Sequence, residues 1–534
     1  MAKPVFKPCM QNQLMLLPPD ISELIPENSK ARLVDRIVEG LDRGLLISLY
    51  PGGGASAYDP SMMLKVVLLA YSSGIYSSRK IEQATRENIN FMWICGMKPL
   101  EHSTINRFRT ERIRPVFEEI FTQVVRVLAE AGHITLDTYF LDGTKLEANA
   151  NKYTFVWKKN VDRYQQALQK KVHALLDAID EMEAEEEKLA PAEPSEVDSE
   201  KIQEALGKIN ERLKGKKERG EKAPELKKAA HAIEKDHLDR MKTYEGYQEA
   251  FAGRNNLSKT DPDATFMRLK DDHMQNGQLK AAYNIQCGTE NQFIVSSTVH
   301  QRPGDTACAI PHLEHVKKAF GHIPENMVAD AGYGSEENYT YLESEGVTAY
   351  VKHNEFFREC KKKYREDEMR VANWAYDEMA DTYTCPEGRT LAFKKEQKKA
   401  SDLGFVSTTR LYACADCSEC SRRDRCIKSD NPDHNRTIQV NPKLDAHKRK
   451  ASALLHTEEG SALRKKRGID VETVFGDIKR NLGFNRFTLR GLEKVAHEWL
   501  LVAAGHNIRK LFLAEIKKTV AAVEDKTEPV GAPA

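Results

Sequence analysis

NMVADAGYGSEENYTYLESEGVTAYVKHN, residues 326–354, decides the fold. Met327-Val328-Ala329 is an apolar run that stops on Asp330, where a turn-forming Ala-Gly-Tyr-Gly begins. Such a run reads as a buried strand opening into a turn. Ser335 is a helix N-cap, with Glu336 and Glu337 in the first turn. VTAYVKHN then reads as a second strand. Upstream, AYNIQCGT (282–289) and FIVSSTVHQ (293–301) are two strands joined by a short turn at Thr289–Asn291, and residues 305–320 form a helix. The alternation predicts an α/β fold, a mixed sheet covered by helices.

An earlier stretch, HITLDTYFLDGTKLEANA (133–150), repeats the pattern that ends on Asp330. Tyr139-Phe140-Leu141 runs into Asp142 and then a glycine. A carboxylate at the end of a buried strand is costly unless something pairs it. Two of them on neighbouring strands repel unless a cation lies between, and hard oxygen donors suit magnesium or manganese. VETVFGDIKRNLGF (471–484) offers a third carboxylate. Glu472 and Lys479 lie seven apart, two helical turns, with Val471, Val474, Phe475 and Ile478 forming the core stripe. Three carboxylates holding two such ions suit in-line phosphoryl transfer. The plainer reading makes the aspartates turn-formers and Glu472 a helix-dipole partner.

With 534 residues, the chain predicts two to four domains. Its net charge of +1 hides local imbalance. Asp177 to Glu200 holds eleven acids against one lysine, whereas Asn441 to Lys518 holds seventeen Lys or Arg against nine acids. The basic segment suits a phosphate backbone, or simply a solvated helix face. No run is long and apolar enough for a membrane span, and MAKPVFKPCM lacks a signal-peptide core. The expected setting is the cytoplasm.

Residues 1–130 read as a helical, DNA-binding domain. Apolar spacing from Pro60 to Tyr71, an N-cap at Ser77-Ser78, and STINRFRTERI from Ser103 give helix, turn, helix and an Arg-rich helix. Arg107, Arg109 and Arg112 are the expected contacts in a major groove. Residues 131–157 and 246–354 read as two parts of the α/β core, separated by a charged insertion at 158–245. There Val161, Tyr164, Leu168, Val172, Leu175, Ile179 and Met182, and later Ile202, Leu206, Ile209 and Leu213, recur at helical spacing. Two helices folded back as a coiled-coil hairpin explain them. Residues 355–457 read as a Cys-rich insertion, 458–520 as the glutamate helix and its C-terminal sequel, and 521–534 as a disordered tail.

CADCSECSRRDRC places Cys414, Cys417, Cys420 and Cys426 close together, with Cys385 upstream. Four of these five thiols satisfy tetrahedral structural zinc. An iron–sulfur cluster and thiols that merely pack are the competing readings. Asn149 and Asn151 follow the first aspartate and suit a phosphate or a polar turn. Tyr153, Phe155 and Trp157 alternate after them, as a stacking platform for an unpaired base or as core. Lys145, Arg467, Arg480, Arg486 and Arg490 complete the residues expected to meet DNA.

LDGTKLEANANKYTFVWKK, AAYNIQCGTENQFIVSSTVHQRPGD, VADAGYGSEENYTYL and RGIDVETVFGDIKRNLGFNRFTLRGLEKVAHEWLLVAAGHNIRKL resemble bacterial insertion-sequence transposases of the IS4/IS5-like DDE group, closest to the IS1182-like branch. YDPSMMLKVVLLAYSSGIYSSRKIE to HSTINRFR resembles the N-terminal domain of that group. The resemblance implies an RNase H-like catalytic core, with Asp142, Asp330 and Glu472 as the catalytic metal ligands and Lys479 at the lysine position after the glutamate. It implies two Mg2+ or Mn2+ ions, binding of double-stranded terminal inverted repeats and target DNA, and a homodimer or higher oligomer. One departure stands out. The Tyr and Arg that the group often carries seven and four residues before the glutamate are Lys465 and Gly468 here, and Arg467 lies one place away. A metal-dependent nuclease without strand transfer, and an inactive DNA-binding regulator, share most of these features.

Overall fold

The computed structural model describes residues 20–50, 57–183, 188–270, 277–431 and 433–524. Its central sheet contains β1 (Thr138–Glu147), β2 (Thr265–Arg268), β3 (Leu279–Glu290), β4 (Phe293–His300), β5 (Asn326–Ala329) and β6 (Thr348–Val351). The order is β2-β3-β1-β5-β6, and β4 also pairs with β3. β1 runs antiparallel to β3 but parallel to β5, and β5 is parallel to β6. The helix Ala309–Phe320 precedes β5, and the helix Glu336–Ser344 connects β5 to its parallel neighbour β6, as the alternation predicts.

Side chains alternate across a strand, so both faces must be covered when both are apolar. Tyr139 and Leu141 join the large core shared with the N-terminal helices and the C-terminal helix. Phe140, between them, packs instead with Val328, Tyr350, Leu455 and Val471 on the other face. Asp142 and Asp330 continue the Phe140 and Val328 series by the two-residue period. They therefore belong to the face covered by the helix that carries Glu472.

The N-terminal helices Lys30–Glu39, Pro60–Ser72 and Phe117–Glu130 pack with the long helix Leu492–Glu524 in one core. Gly505 lets that helix approach: a Cβ there would stand 2.7 Å from the Tyr71 carbonyl carbon. Glu498, fully buried, accepts the Thr488 and Leu489 amides at 3.0 Å each and ties down the preceding loop. The helix runs to Glu524, four residues into the tail expected to be disordered from 521; the rest of that tail, 525–534, lies outside the described residues.

Between β1 and β2 the chain is helical: Lys158–Glu183, Ser199–Glu218, and a third arm, Pro224–Phe251, continuous through a π turn. The expectation of two arms is thus corrected to three, around a separate core that includes Val172, Ile202, Ile233 and Met241. Part of the acidic run, 184–187, lies outside the described residues. After β6 the Cys-rich segment folds as a second, antiparallel sheet: β7 (Ala375–Asp377), β8 (Thr382–Thr384), β9 (Thr390–Ala400), β10 (Val406–Cys414) and β11 (Thr437–Val440), in order β11-β10-β9-β8-β7.

Candidate functional site

β1 and β5 pair in parallel with Leu141 opposite Ala329, so Asp142 and Asp330 lie side by side. Asp330 does stand where its strand opens into a turn, but the same expectation for Asp142 is corrected: β1 stays paired with β3 past it, through Gly143 to Glu147. Asp142 Oδ1 accepts the Gly143 amide and Asp330 Oδ1 the Gly332 amide, both at 2.8 Å. Asp142 is largely enclosed, and burial pushes its carboxyl above the usual range; Arg467 opposes that rise and Asp330 adds to it. Removal from water and a like charge both disfavour the ionised form, the state a cation relieves.

Glu472 reaches this corner differently. Its helix is α-helical over Glu458–Arg467, makes a π turn over Gly468–Glu472, resumes over Thr473–Gly476 and makes a second π turn over Asp477–Asn481. In a regular α-helix residues five apart point about 140° away from each other. An i→i+5 turn brings them together, and such bulges recur at functional sites. Arg467 and Glu472 are five apart, and their side chains meet at 3.6 Å. Arg467 also binds Asp142 Oδ2 at 2.9 Å. One guanidinium thus spans the sheet-borne and helix-borne carboxylates. The one-place departure of the arginine is absorbed by one extra residue in the turn, and Gly468 in mid-helix is the signal that could have found it.

The π turns also correct the face argument for Lys479, since Glu472 and Lys479 are not separated by two regular α turns. Lys479 is half-buried. Val471, Val474 and Ile478 are buried as their spacing predicts. Lys352, just past β6, was not picked out from the sequence. Burial and then Arg467 push its ammonium down, while Asp330 and Asp142 hold it up, so it shares their electrostatic surroundings.

The expected DNA-contacting residues fare unequally. Arg107 and Arg112 are exposed, and Arg112 lies over the Tyr50 ring. Arg109 is turned inward, 4% exposed, donating to the Tyr71 hydroxyl and the Tyr76 carbonyl. It sits in the π turn Phe108–Arg112, and it leaves the surface expected to meet DNA. Arg486 donates to the Ala148 and Ala150 carbonyls and Arg490 to that of Asn149, while Asn149 donates to Thr488. These residues lace the segment after β1 to the loop before the C-terminal helix. Arg480, Asn151 and Trp157 are exposed, and Lys145 is half-buried. Phe155 stacks on Trp157 at 6.0 Å and packs on Phe266 at 3.9 Å, so the aromatic alternation is partly core.

Two further clusters bear on metals. His353, Glu355 and Glu359 offer ligand atoms within 4.8 Å of one another, the one such trio among the described residues. Lys448 already lies 3.4 Å from Glu355 and Arg370 3.3 Å from Glu359, so this trio is charge-paired. In the second sheet, Cys426 lies within electrostatic range of Cys417, Cys385 and Cys420, and Cys414 within range of Cys417 and Cys385. Burial, chiefly, pushes the Cys414 thiol up to about 11. The Arg436 amide donates to Cys417 Sγ at 3.5 Å, and the Cys417 amide binds Asn435.

No helix among the described residues is long and apolar enough to cross a membrane. Residues 384–512 match the family model of a transposase DDE domain, and residues 19–111 that of a transposase domain, DUF772. No curated protein matches the chain.

Proposed function

The chain belongs to the DDE transposases of insertion sequences, and from that premise we propose that it binds the terminal inverted repeats of its element and cleaves and joins DNA at Asp142, Asp330 and Glu472. The observation that supports this is Arg467, which binds Asp142 at 2.9 Å and lies 3.6 Å from Glu472, beside the paired strands that carry Asp142 and lead into Asp330. The sheet supports an RNase H-like core: antiparallel β4-β3-β1 continued by parallel β5 and β6, with Asp142 inside β1 and Asp330 just past the end of the adjacent β5.

The donor set fits hard divalent cations. Asp142 is a buried carboxylate with a like charge beside it, and the cation now relieving it is a guanidinium. Asp142, Asp330 and Glu472 would hold Mg2+ or Mn2+, two ions by analogy of chemistry. When bound, those ions supply activation of a water or 3′-OH and stabilisation of the leaving oxygen. The protein's own groups do the rest. The Gly143 and Gly332 amides keep the two carboxylates pointed out of the sheet. Arg467, displaced from Asp142, is free to meet a phosphate with its planar fork. Lys352 adds positive charge beside the same corner.

The five clustered thiols support a structural zinc ion in the Cys-rich sheet. A four-thiolate site is closed, so its role is to hold β8–β10 and their loops rather than to catalyse. Exposed Arg107, Arg112 and Arg480 support contact with the DNA backbone. Joining two ends requires two active sites, which favours a dimer or higher assembly on DNA. Asp330→Asn tests the reading: cleavage of terminal-repeat DNA should vanish while end binding, read by mobility shift, is kept. Persistent cleavage by that variant defeats the site assignment.

A further inference from the structure

Asp305 opens the short helix Thr306–Cys308 but makes no side-chain cap bond there. Its carboxylate turns to the sheet instead. Oδ1 accepts the Asn284 amide at 2.8 Å and the Gln286 amide at 2.9 Å. Both amides lie on β3 and are fully buried. The Tyr333 hydroxyl donates to Gln286 Oε1, which commits the Gln286 nitrogen to Asp305. The aspartate is therefore held in one orientation by groups that cannot turn away without leaving a buried donor unpaired.

That orientation places it against Gly143 in β1 and Gly332 in the turn after Asp330. A Cβ at Gly143, the residue after Asp142, would stand 2.6 Å from Asp305 Oδ1. A Cβ at Gly332 would stand 3.0 Å from Asp330 Oδ1 and 3.8 Å from Asp305 Oδ2. Asp305, Asp142 and Asp330 all raise the Tyr333 phenol, after burial, so the three charges share one neighbourhood. Asp305 has no ion-pair partner among the described residues: the nearby Arg302 pairs with Asp402 at 2.6 Å, and burial, with Arg302, holds His300 neutral, down at about 4.

Resting on the functional reading above, we propose that Asp305 is a positioning residue that supplies a fixed negative charge behind the Asp142–Asp330 pair, strengthening divalent-ion binding there. It acts through Gly143 and Gly332 and through its field, without touching DNA. An unpaired carboxylate held in a fixed orientation next to two others raises the local affinity for cations, because attraction at short range in a partly dry site is poorly screened.

Mn2+ binding to the full-length, DNA-free chain tests this, read by electron paramagnetic resonance for wild type, Asp305→Asn, and the double variant Asp142→Asn/Asp330→Asn. The Asp305→Asn side chain keeps an oxygen for both amides and removes only the charge. The double variant identifies the signal that belongs to the pair, apart from any ion held by the His353 trio. Asp305→Asn should weaken that signal's affinity about tenfold, with an unchanged unfolding midpoint in chelator. Wild-type affinity in Asp305→Asn overturns the proposal and leaves the functional reading standing. A weakened affinity accompanied by a lowered midpoint in chelator also overturns it, in favour of a merely structural role. A signal equal in wild type and double variant overturns the functional reading, and this inference with it.

Discussion

Asp142 and Glu472 reach the same corner from opposite kinds of support. The Asp142 side chain is 13% exposed, inside a strand flanked by β3 and β5, and its orientation follows from sheet register. The Glu472 side chain is 68% exposed, on a helix whose turns are irregular on both sides of it. A sheet places a carboxylate rigidly but must bury it at a cost. A helix presents one cheaply but lets its direction depend on a single extra residue. The difference teaches where each is vulnerable: the strand aspartates through charge, the glutamate through helical phase.

The largest expected effect breaks the strand side. Asp142→Asn and Asp330→Asn should each lower cleavage by about a thousandfold or more, since each removes charge from the centre of the reaction. Quantified cleavage of labelled terminal-repeat DNA checks this. Deleting Gly468 probes the helix side. Without its extra residue the π turn becomes an α turn: Arg467 and Glu472 stay on one face, four apart, but one flanking segment is rotated by about 100° against the sheet, so the two can no longer both keep their places beside Asp142, and cleavage should fall about a hundredfold while the chain stays folded by circular dichroism.

Arg467→Ala joins the two sides of the comparison. It leaves Asp142 enclosed without its counter-charge, which costs about 3 kcal/mol. The unfolding midpoint should fall in chelator and recover in Mg2+, because a bound cation replaces the lost charge. A deficit that persists in Mg2+ contradicts the pairing role given to Arg467. On the Cys-rich sheet, Cys417→Ser should abolish about one equivalent of zinc per chain, read by elemental analysis of protein purified without chelator.

Asp477 gives the smallest effect and the sharpest contrast, because it lies on the same helix as Glu472 yet serves as a brace. His506, Asn481 and Arg509 hold its carboxyl down at about 2 against the opposing effect of burial. A depressed folded value contributes stability that is present above the ordinary 3.8 and lost as pH falls towards 2. Asp477→Asn should therefore cost about 2 kcal/mol at neutral pH, shrinking to little near pH 2, as chemical denaturation at both pH values would read. Asp142 has the opposite sign, its carboxyl raised rather than lowered. The two shifts separate an aspartate whose burial outweighs its arginine from one whose partners outweigh its burial.

The end of β5 was legible because its run is apolar, so a sudden aspartate stands out against it; Asp142 stood out in the same way, but there the strand runs on to Glu147 instead of opening into the expected turn. The core stripe Val471, Val474 and Ile478 was legible for the same reason, each being buried. The π turns were not, since nothing in a helical apolar period reports one extra residue except Gly468 in mid-helix. Arg109 was misread because a basic residue beside apolar ones looks like a surface charge, whereas its turn carries it inward to Tyr71. The third arm of the helical unit hid because alanines 229 and 230 form much of its buried side. β9 hid because nearly all of it is exposed, so no alternation marks it as a strand. Asp305 looked like an ordinary turn residue, and only the fold shows what it faces.

Strand transfer with pre-cleaved terminal-repeat ends and a target plasmid in Mg2+ tests the central claim most directly. The account predicts joined product from the wild-type chain and none from Asp142→Asn, Asp330→Asn or Glu472→Gln, with end binding retained by all three. Joining that survives in Asp330→Asn, or its absence from a wild-type chain that cleaves normally, would contradict it.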